Sequence, residues 1–476
     1  MIGIVLFQRD LRLEDNTAFI AACKACQKVV CIFCFNPKQV SSSNAFKSNN
    51  AVAFMIESLQ SLDQSLQKRG SQLYCFYGEP VDIVKSLMNE LKEESTLYFN
   101  YDITPFAKKR QLLFLDAGIS CAAYPDYYLS SVDSIKNSSG NPYTKFTPYA
   151  TRFQDMVAGG DLIIPFPFTP KKIKCSFLTL DSANVKSLKW ARDKFVDEKH
   201  LSPHRLVHGG RERALERMKS IPPIVANYQV TRNDLNDETT QLSAYIKFGC
   251  LSIREVYYFF MQKIPTTARK SLIRQLIWRD FYAQVLYHNP SNLGQSMKEA
   301  YRDMRWEKGA EARKRLRAWK LGKTGFPIVD AGMRELAATG YMHNRARLIT
   351  ASFLPKTLLI DWMEGEKHFA KMLSDYDPAS NNGNWQWVAG TGVDSQPYFR
   401  ILNPKLQGEK YDSDCIYIKK WIPELRDLSP KDIHKWSDGK ICSDDRFDGI
   451  KYPAPIVNYS KQKEMALDIY TKAYES

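Results

Sequence analysis

Eight residues toward the C-terminal end of the chain, SNNGNWQW at positions 380–387, concentrate three asparagines and two tryptophans. Amide side chains donate and accept hydrogen bonds, and indoles offer flat surfaces for stacking. On a helix, side chains two positions apart point about 200° away from one another. We therefore expect Trp385 and Trp387 to contact different neighbours. Asp375 and Asp377 stand just before the segment, either as helix caps or as part of a site.

A second stretch, SLIRQLIWRDFYAQVL (271–286), separates an apolar stripe from a polar face. That face carries Gln275, Trp278, Arg279 and Tyr282 at helical spacing. Trp offers a stacking surface, Gln a donor and an acceptor, and Arg a partner for phosphate. The pattern predicts contact with a flat, hydrogen-bonding, anionic ligand, although an ordinary amphipathic helix would look the same.

A third candidate lies in YMHNRARLITASF (341–353), just after the helix break expected at Gly340. Asn344, Arg347 and Leu348 share one helical face there. Taken with the two stretches above, this face indicates one site built from several helices.

The charge balance favours a polyanionic partner. Lysine plus arginine number 67 and aspartate plus glutamate 52, a formal excess of 15, and the sequence pI is about 9.1. The excess is concentrated in RERALERMK (211–219), RKRLRAWKLGK (313–323) and HNRARL (343–348). Nucleic acid is the expected partner, while each basic run taken alone also fits a solvated surface.

Cysteine and histidine spacings do not favour a metal site. Two C-x-x-C pairs, at Cys23 and Cys31, are separated by too short a spacer for a zinc ribbon. VVCIFCF is typical of a buried strand, which would point Cys31 and Cys34 to opposite faces. The histidines at every fourth position from His200 are interrupted by Pro203. We expect core cysteines, no metal, and a reducing compartment.

These candidate residues need two kinds of framework. Residues 1–130 alternate short β-rich runs with amphipathic helical segments, which predicts a doubly wound parallel sheet. Residues 131–200, rich in Ser, Asn, Pro and Gly, predict a surface connector. Residues 201–476 predict a large all-helical domain. The N-terminus reads as a strand, no segment resembles a membrane span, and we expect a cytoplasmic, monomeric protein.

Nine stretches occur in order along the chain: FQRDLRLEDN, PYTKFTPY, TTQLSAYIKFGCLS, QLIWRDFY, GKTGFPIVDAGMREL, HNRARL, DWMEGE, DYDPASNNGNWQW and PYFRILNPKLQGEKYD. Together they resemble the photolyase and cryptochrome family. The resemblance is closest to class I photolyases that repair cyclobutane pyrimidine dimers (CPDs). It implies a Rossmann-like α/β antenna domain, although no G-x-G-x-x-G follows the first strand, and a helical domain that binds FAD and UV-damaged DNA.

The resemblance assigns cofactor residues by position. Hydroxyl and amide groups at a helix start suit the FAD pyrophosphate. Arg347 resembles the arginine that pairs with an aspartate beside the flavin. Asn381 stands where bacterial photolyases place an asparagine opposite flavin N5. The implied cofactor contacts are Tyr228, Thr239, Thr240, Gln241, Leu242, Ser243, Arg347, Asp375, Asp377 and Asn381.

The resemblance also assigns an electron relay and a DNA surface. The relay comprises Trp385 next to the flavin, Trp362 in the middle and Trp306 at the surface, with Trp319 as the alternative end. Trp278 and Trp387 would wall the cavity that takes the flipped dimer. The implied DNA contacts are Arg232, Gln275, Trp278, Arg279, Asn344, Arg345, Leu348, Trp387 and Gln407.

Two departures leave alternatives open. Most dimer photolyases have glutamate where this chain has Gln275, and methionine where it has Leu348. A (6-4) photolyase also has glutamine at the first position, but it needs histidines where Asn344 and Leu348 stand. A non-repair blue-light receptor is the other alternative.

An antenna chromophore is implied without its identity. Thr104 and Pro105 replace the asparagine and glutamate of folate-binding members. A deazaflavin, a second flavin, folate or no antenna chromophore therefore remain open.

Overall fold

The computed structural model describes residues 1–168, 175–439, 441 and 444–475. Its N-terminal part is a five-stranded, fully parallel sheet in the order β3-β2-β1-β4-β5. The predicted doubly wound sheet is confirmed. The strands are β1 Ile2–Phe7, β2 Lys28–Phe35, β3 Leu73–Tyr77, β4 Ser95–Asn100 and β5 Cys121–Tyr124.

Both faces of this sheet are buried, as the continuous apolar runs require. Cys31 and Cys34 belong to hydrophobic clusters on opposite sides of the sheet. The predicted role as core cysteines is confirmed for this pair. Within the described residues, no three or more His, Cys, Asp or Glu side chains gather as a metal site would require.

Helices flank the sheet and make up almost all regular structure after it, as predicted. No described helix is both long and apolar enough to cross a bilayer. In chain order the helices are α1 Thr17–Ala25, α2 Pro37–Val40, α3 Asn49–Gln67, α4 Pro80–Leu91, α5 Pro105–Asp116, α6 Phe146–Gly159, α7 Leu188–Phe195, α8 Arg211–Ile224, α9 Tyr228–Thr231, α10 Ser243–Lys247, α11 Ile253–Lys263, α12 Thr266–His288, α13 Gly309–Lys320, α14 Pro327–Thr339, α15 Asn344–Lys356, α16 Trp362–Met372, α17 Pro378–Ala389, α18 Pro404–Tyr411, α19 Ile416–Trp421, α20 Pro430–Lys435 and α21 Tyr459–Glu475.

The region 131–200 is not the surface connector that its composition predicted. It contains α6 and α7, and Phe146, Tyr149 and Phe153 of α6 are buried in the main core. The aromatic residues of α6 recur at helical spacing. Burial of their rings stabilises the helix by more than the surrounding Ser, Asn and Pro residues destabilise it. Residues 169–174 of this region lie outside the described part of the chain.

A buried ionic network joins the sheet to the helices. Arg12 donates to Asp126 at 2.6 Å, and Arg254 of α11 contacts Asp15 and Asp126 at 2.8 Å each. Gly249 lies against the backbone of Arg9, where a Cβ atom would come within 2.4 Å of the Arg9 carbonyl oxygen. Paired charges of this kind fix the relative positions of the parts they join.

Candidate functional site

The SNNGNWQW segment forms most of α17. Asp377 is the N-cap and accepts a hydrogen bond from the Ser380 N–H at 3.0 Å, and Pro378 opens the helix. Gly390 ends it in the left-handed conformation, at φ +87°. Each residue type is one that the position favours, so the local sequence fixes where α17 begins and ends.

Helix α17 packs on α12 at Gly383. A Cβ atom on Gly383 would lie 2.2 Å from Cδ1 of Tyr282, so this close approach requires glycine. Tyr282 is only 3% exposed. The prediction that Tyr282 shares the ligand-facing side of α12 is therefore wrong, because α17 covers that part of the helix.

The two indoles of α17 occupy different environments, as their spacing led us to expect. Trp385 is 2% exposed, and its ring centroid lies 4.9 Å from that of Phe369 and 6.2 Å from that of Trp319. Gly365 of α16 makes room for it, since a Cβ atom there would be 2.1 Å from Cη2 of Trp385. Trp387 is half-buried at the edge of the same cluster.

Asn381 and Asn382 both bind Glu366 of α16. Asn381 Nδ2 donates to the Glu366 carbonyl at 3.1 Å, and Asn382 Nδ2 donates to Glu366 Oε1 at 3.0 Å. Burial raises the pKa of Glu366 to about 7. Among the described residues no hydrogen bond involves Asn381 Oδ1, so this buried side chain presents a free acceptor.

Arg347 of α15 and Asp375 form a two-bond ion pair, with Nη2 to Oδ2 at 2.9 Å and Nη1 to Oδ1 at 3.3 Å. Asp377 does not join this pair. Its Oδ2 lies 2.9 Å from Nη1 of Arg9, the second residue after β1. The two acids that precede α17 therefore have separate partners, one within the helices and one in the sheet domain.

Residues 3–170 match the family model described as DNA photolyase, and residues 271–472 match the FAD binding domain of DNA photolyase. The chain belongs to the DNA photolyase family. The recognition made from the nine sequence stretches is confirmed, and so is the prediction of a FAD-binding domain. At the level of the family, the prediction of an enzyme is confirmed as well.

Photolyases from distant organisms match nearly the whole chain. The deoxyribodipyrimidine photo-lyase of Halobacterium salinarum is 33% identical over 98% of each chain, and that of Escherichia coli is 32% identical over 99% of this chain and 98% of its own. The archaeal photolyase of Sulfolobus tokodaii, solved with two FAD molecules, has a TM-score of 0.84 at 35% identity and covers 99% of this chain and 100% of its own. A cryptochrome of Synechocystis has a TM-score of 0.84 at 26% identity, with coverage of 98% and 99%.

The segment that would hold the photolyase cofactor's phosphates offers a row of free donors. Within the described residues, the backbone N–H groups of residues 239–242 donate no hydrogen bond. Gln241 has a positive φ of 54°, which turns the chain into α10. Consecutive unpaired N–H groups can donate hydrogen bonds to phosphate oxygens. An N–H group in a buried residue such as Leu242 needs a hydrogen-bond acceptor.

The groups around α17 fit the flavin end of FAD. Asn381 supplies a free amide oxygen, and the Nε1 of Trp385 is buried without a hydrogen-bond partner. Tyr228, in α9, is half-buried and α9 packs on α12. Orphaned polar groups in an interior require a ligand or water, so the residues present suit a polar aromatic cofactor.

The tryptophans assigned to the relay differ in exposure. Trp362 is fully buried and its Nε1 lies 3.4 Å from Ser296 Oγ. Trp306 is half-buried and its ring is 6.1 Å from that of Tyr470. Trp319 is fully buried and donates to the Thr350 carbonyl at 3.0 Å, so it has no access to solvent.

On α12, Gln275 is exposed, and Trp278 and Arg279 are half-buried. Trp278 is stacked on Phe146 with ring centroids 3.6 Å apart. Arg279 donates to the Tyr127 carbonyl and lies over the Tyr128 ring at 4.8 Å. These contacts engage part of a guanidinium that has five N–H groups, so contact between Arg279 and DNA stays a prediction.

The remaining DNA candidates lie at the start of α15 and on α9 and α18. Arg345 donates to Asn233 Oδ1 at 2.7 Å and lies 4.3 Å from the Tyr411 ring centroid. Burial lowers the pKa of Arg345, and repulsion from the nearby Arg232 lowers it further. Asn344 is exposed, whereas Leu348 and Gln407 are half-buried.

Sequence reasoning missed two charged groups at this site. Burial lowers the pKa of Lys247 to about 7, and its surroundings include Arg9, Asp377 and Asp375. Glu366 was missed although it lies within DWMEGE, a stretch that carried the resemblance. Neither residue has a local signal, since both acquire their environment from helices distant in the sequence.

Proposed function

We propose that this photolyase repairs cyclobutane pyrimidine dimers in DNA under light, with FAD as its cofactor. The observation that carries the proposal is the arrangement on α17, where buried Asn381 and Trp385 adjoin half-buried Trp387. Reduced FAD, when bound, supplies on illumination the electron that opens the cyclobutane ring. The side chains bind and orient the two reactants and exclude water.

For the cofactor, we assign the phosphates to the segment from Thr239 to Ser243, with Tyr228 beside it. The Arg347–Asp375 pair would lie along the flavin, where a paired charge keeps a fixed geometry. Asn381 Oδ1 would accept from a flavin N–H. Because an amide is neutral, it avoids the repulsion that a carboxylate would exert on an electron-rich ring. Asp377 is not among the proposed flavin contacts, because its carboxylate pairs with Arg9.

For electron supply, we propose the order Trp385, Trp362 and Trp306. The buried position of Trp319 supports Trp306 as the end that meets solvent. Trp319 packs against Trp385 and would help to hold the Trp385 ring in place.

For DNA, we propose that Trp278 and Trp387 stack on the flipped dimer and that Gln275 hydrogen-bonds its pyrimidine edge. Arg232 and Arg345 lie close enough to repel each other, and within the described part of the chain neither forms an ion pair with an acid, so we expect both to meet backbone phosphates. Asn344, Leu348 and Gln407 complete the proposed surface. Arg279, whose guanidinium is engaged in part by Tyr127 and Tyr128, is a further candidate for this surface.

CPD repair is favoured over (6-4) repair because Asn344 and Leu348 supply no imidazole to act as a proton donor. The cryptochrome neighbour keeps a receptor function as the second candidate. A light-dependent repair assay separates the two functions.

For the antenna, we propose a flavin-type chromophore rather than folate. Thr104 caps α5 and Pro105 opens it, so neither offers the amide or carboxylate that folate binding uses. The Sulfolobus photolyase, with its second FAD, supports a flavin.

The test irradiates the reduced holoprotein with oligonucleotides that carry either a CPD or a (6-4) product. We expect light-dependent loss of the CPD alone. Gln275→Glu is the matched variant, and we expect it to repair the CPD at least as fast. Absence of light-dependent repair of either lesion would refute the proposal and favour a receptor.

A further inference from the structure

Arg217 of α8 donates hydrogen bonds to the backbone carbonyls of the segment assigned to the cofactor phosphates. Its Nε donates to the Thr240 carbonyl at 2.9 Å, and its Nη2 donates to the Thr239 carbonyl. Its Nη1 donates to Glu238 Oε1 at 2.8 Å. The Arg217 side chain is 16% exposed, so its two bonds to carbonyls are partly shielded from water, whereas Glu238 is 48% exposed. One planar guanidinium therefore contacts three consecutive residues.

These contacts determine which way the peptide groups face. A peptide plane has its carbonyl and its N–H on opposite sides. Two carbonyls directed at one guanidinium therefore leave the following N–H groups directed away from α8. These are the N–H groups of Thr240 and Gln241, the middle two of the unpaired N–H row of residues 239–242.

The segment needs such a support because it is strained. Gln241 adopts a left-handed backbone conformation, φ +54°, which is unfavourable for a residue with a Cβ atom. No side chain caps the start of α10. Without Arg217, the two carbonyls would lose their charged donor and the peptide planes could rotate.

We propose that Arg217 is a positioning residue that presents residues 239–242 to the cofactor pyrophosphate without touching the cofactor itself. This inference rests on the proposed function, in which that segment binds the FAD phosphates. An arginine is required, since a lysine offers no planar fork to reach two adjacent carbonyls at once. Arg217 thus acts on affinity for the phosphate-bearing part of the cofactor.

The test compares binding of FAD and riboflavin to the full-length apoprotein, by fluorescence titration. Riboflavin lacks the phosphates, so it reports on the flavin end alone. We expect Arg217→Met to weaken FAD binding by about 10- to 100-fold, with riboflavin affinity unchanged. We expect Arg217→Lys to lie between wild type and Arg217→Met, since it keeps the charge but not the fork.

Arg213→Met is the matched control. Arg213 lies one turn earlier on α8, and among the residues that the structure describes its side chain donates only to the Gly209 carbonyl, at 3.3 Å. We expect it to leave FAD affinity unchanged. Limited proteolysis of the apoprotein gives a readout without cofactor: cleavage within residues 238–243 should be faster in Arg217→Met and Arg217→Lys than in Arg213→Met.

The outcomes separate the inference from the proposed function. Wild-type protein that binds no FAD refutes the proposed function. Wild-type binding with equal FAD affinity in Arg217→Met, or equal loss of FAD and riboflavin binding, overturns the role of Arg217. If Arg217→Met does not fold, unchanged cleavage and unchanged FAD affinity in Arg217→Lys overturn it instead.

Discussion

The contact between Gly383 and Tyr282 predicts that Gly383→Ala destabilises the protein. The new Cβ atom would lie 2.2, 2.6 and 2.9 Å from three carbons of the Tyr282 ring. Carbon atoms in contact are normally about 3.5–4.0 Å apart, so the helices must separate or the ring must move. The ring cannot move freely, because Trp278 and Phe281 pack against it with centroids 5.3 and 5.8 Å away.

The magnitude follows from two opposing effects. Overpacking of a buried site costs about 1–3 kcal/mol, and alanine gains about 0.5–1 kcal/mol over glycine inside a helix. We therefore expect Gly383→Ala to lower the free energy of unfolding by about 1–2 kcal/mol. Since α12 carries Gln275 and Trp278 while α17 carries Trp387, the same displacement should weaken binding of a CPD oligonucleotide.

Guanidinium unfolding followed by circular dichroism measures the stability change. Gly159→Ala in α6 is the control, because no atom lies within 4 Å of its Cβ position. A double-mutant cycle gives the decisive result: in a Tyr282→Ala background, Gly383→Ala should cost nothing. An equal penalty with and without the Tyr282 ring would refute the steric reasoning.

Three further predictions follow. Burial raises the pKa of Glu366 from 4.5 to about 7. Between these two pH values the carboxyl group is protonated in the native state and ionised in the unfolded state. The free energy of unfolding therefore falls as pH rises from about 4.5 to 7. Glu366→Gln should remove about 2 kcal/mol of this fall between pH 5 and pH 7.5, measured from unfolding curves at the two pH values; parallel curves for both proteins would contradict it. Trp306→Phe should reduce photoreduction of bound FAD by external thiol to a small fraction of the wild-type rate without loss of stability, whereas Trp319→Phe should mainly lower stability; normal photoreduction in Trp306→Phe would place the end of the relay elsewhere. Arg345→Ala should weaken binding of damaged and undamaged DNA alike, and it should reduce the magnitude of the slope of log affinity against log salt concentration by about 1. Lys431→Ala, at an exposed position of α20, is the control. An unchanged slope in Arg345→Ala would mean that Arg345 meets no phosphate.

The sheet was predictable because each strand is a short apolar run bounded by turn residues, a pattern that needs no tertiary information. The region 131–200 was not, since its polar composition conceals the aromatic side of α6. Composition averages over a segment, whereas burial depends on the few residues that share one helical face. Phe146 is an example, because the polar composition around it gave no sign that its ring is buried and stacked on Trp278.

At the site, helical periodicity placed Gln275, Trp278, Arg279 and Tyr282 together but could not say what each would meet. The structure covers Tyr282 with α17 and turns Arg279 to the sheet domain. The Arg347–Asp375 pair was foreseen from the family resemblance. Arg217 was not, because its partners are backbone carbonyls, which leave no trace in side-chain patterns.

The ion pair between Arg9 and Asp377 has a consequence for building hybrid proteins. Asp377 caps the helix that bears Asn381 and Trp385, and its partner follows the first strand of the chain. A helical half expressed alone, or joined to the N-terminal half of a relative without an arginine at this place, would lose the 2.9 Å ion pair that Asp377 makes at the start of α17. The two halves are therefore not interchangeable parts, and any exchange between relatives must transfer this pair intact.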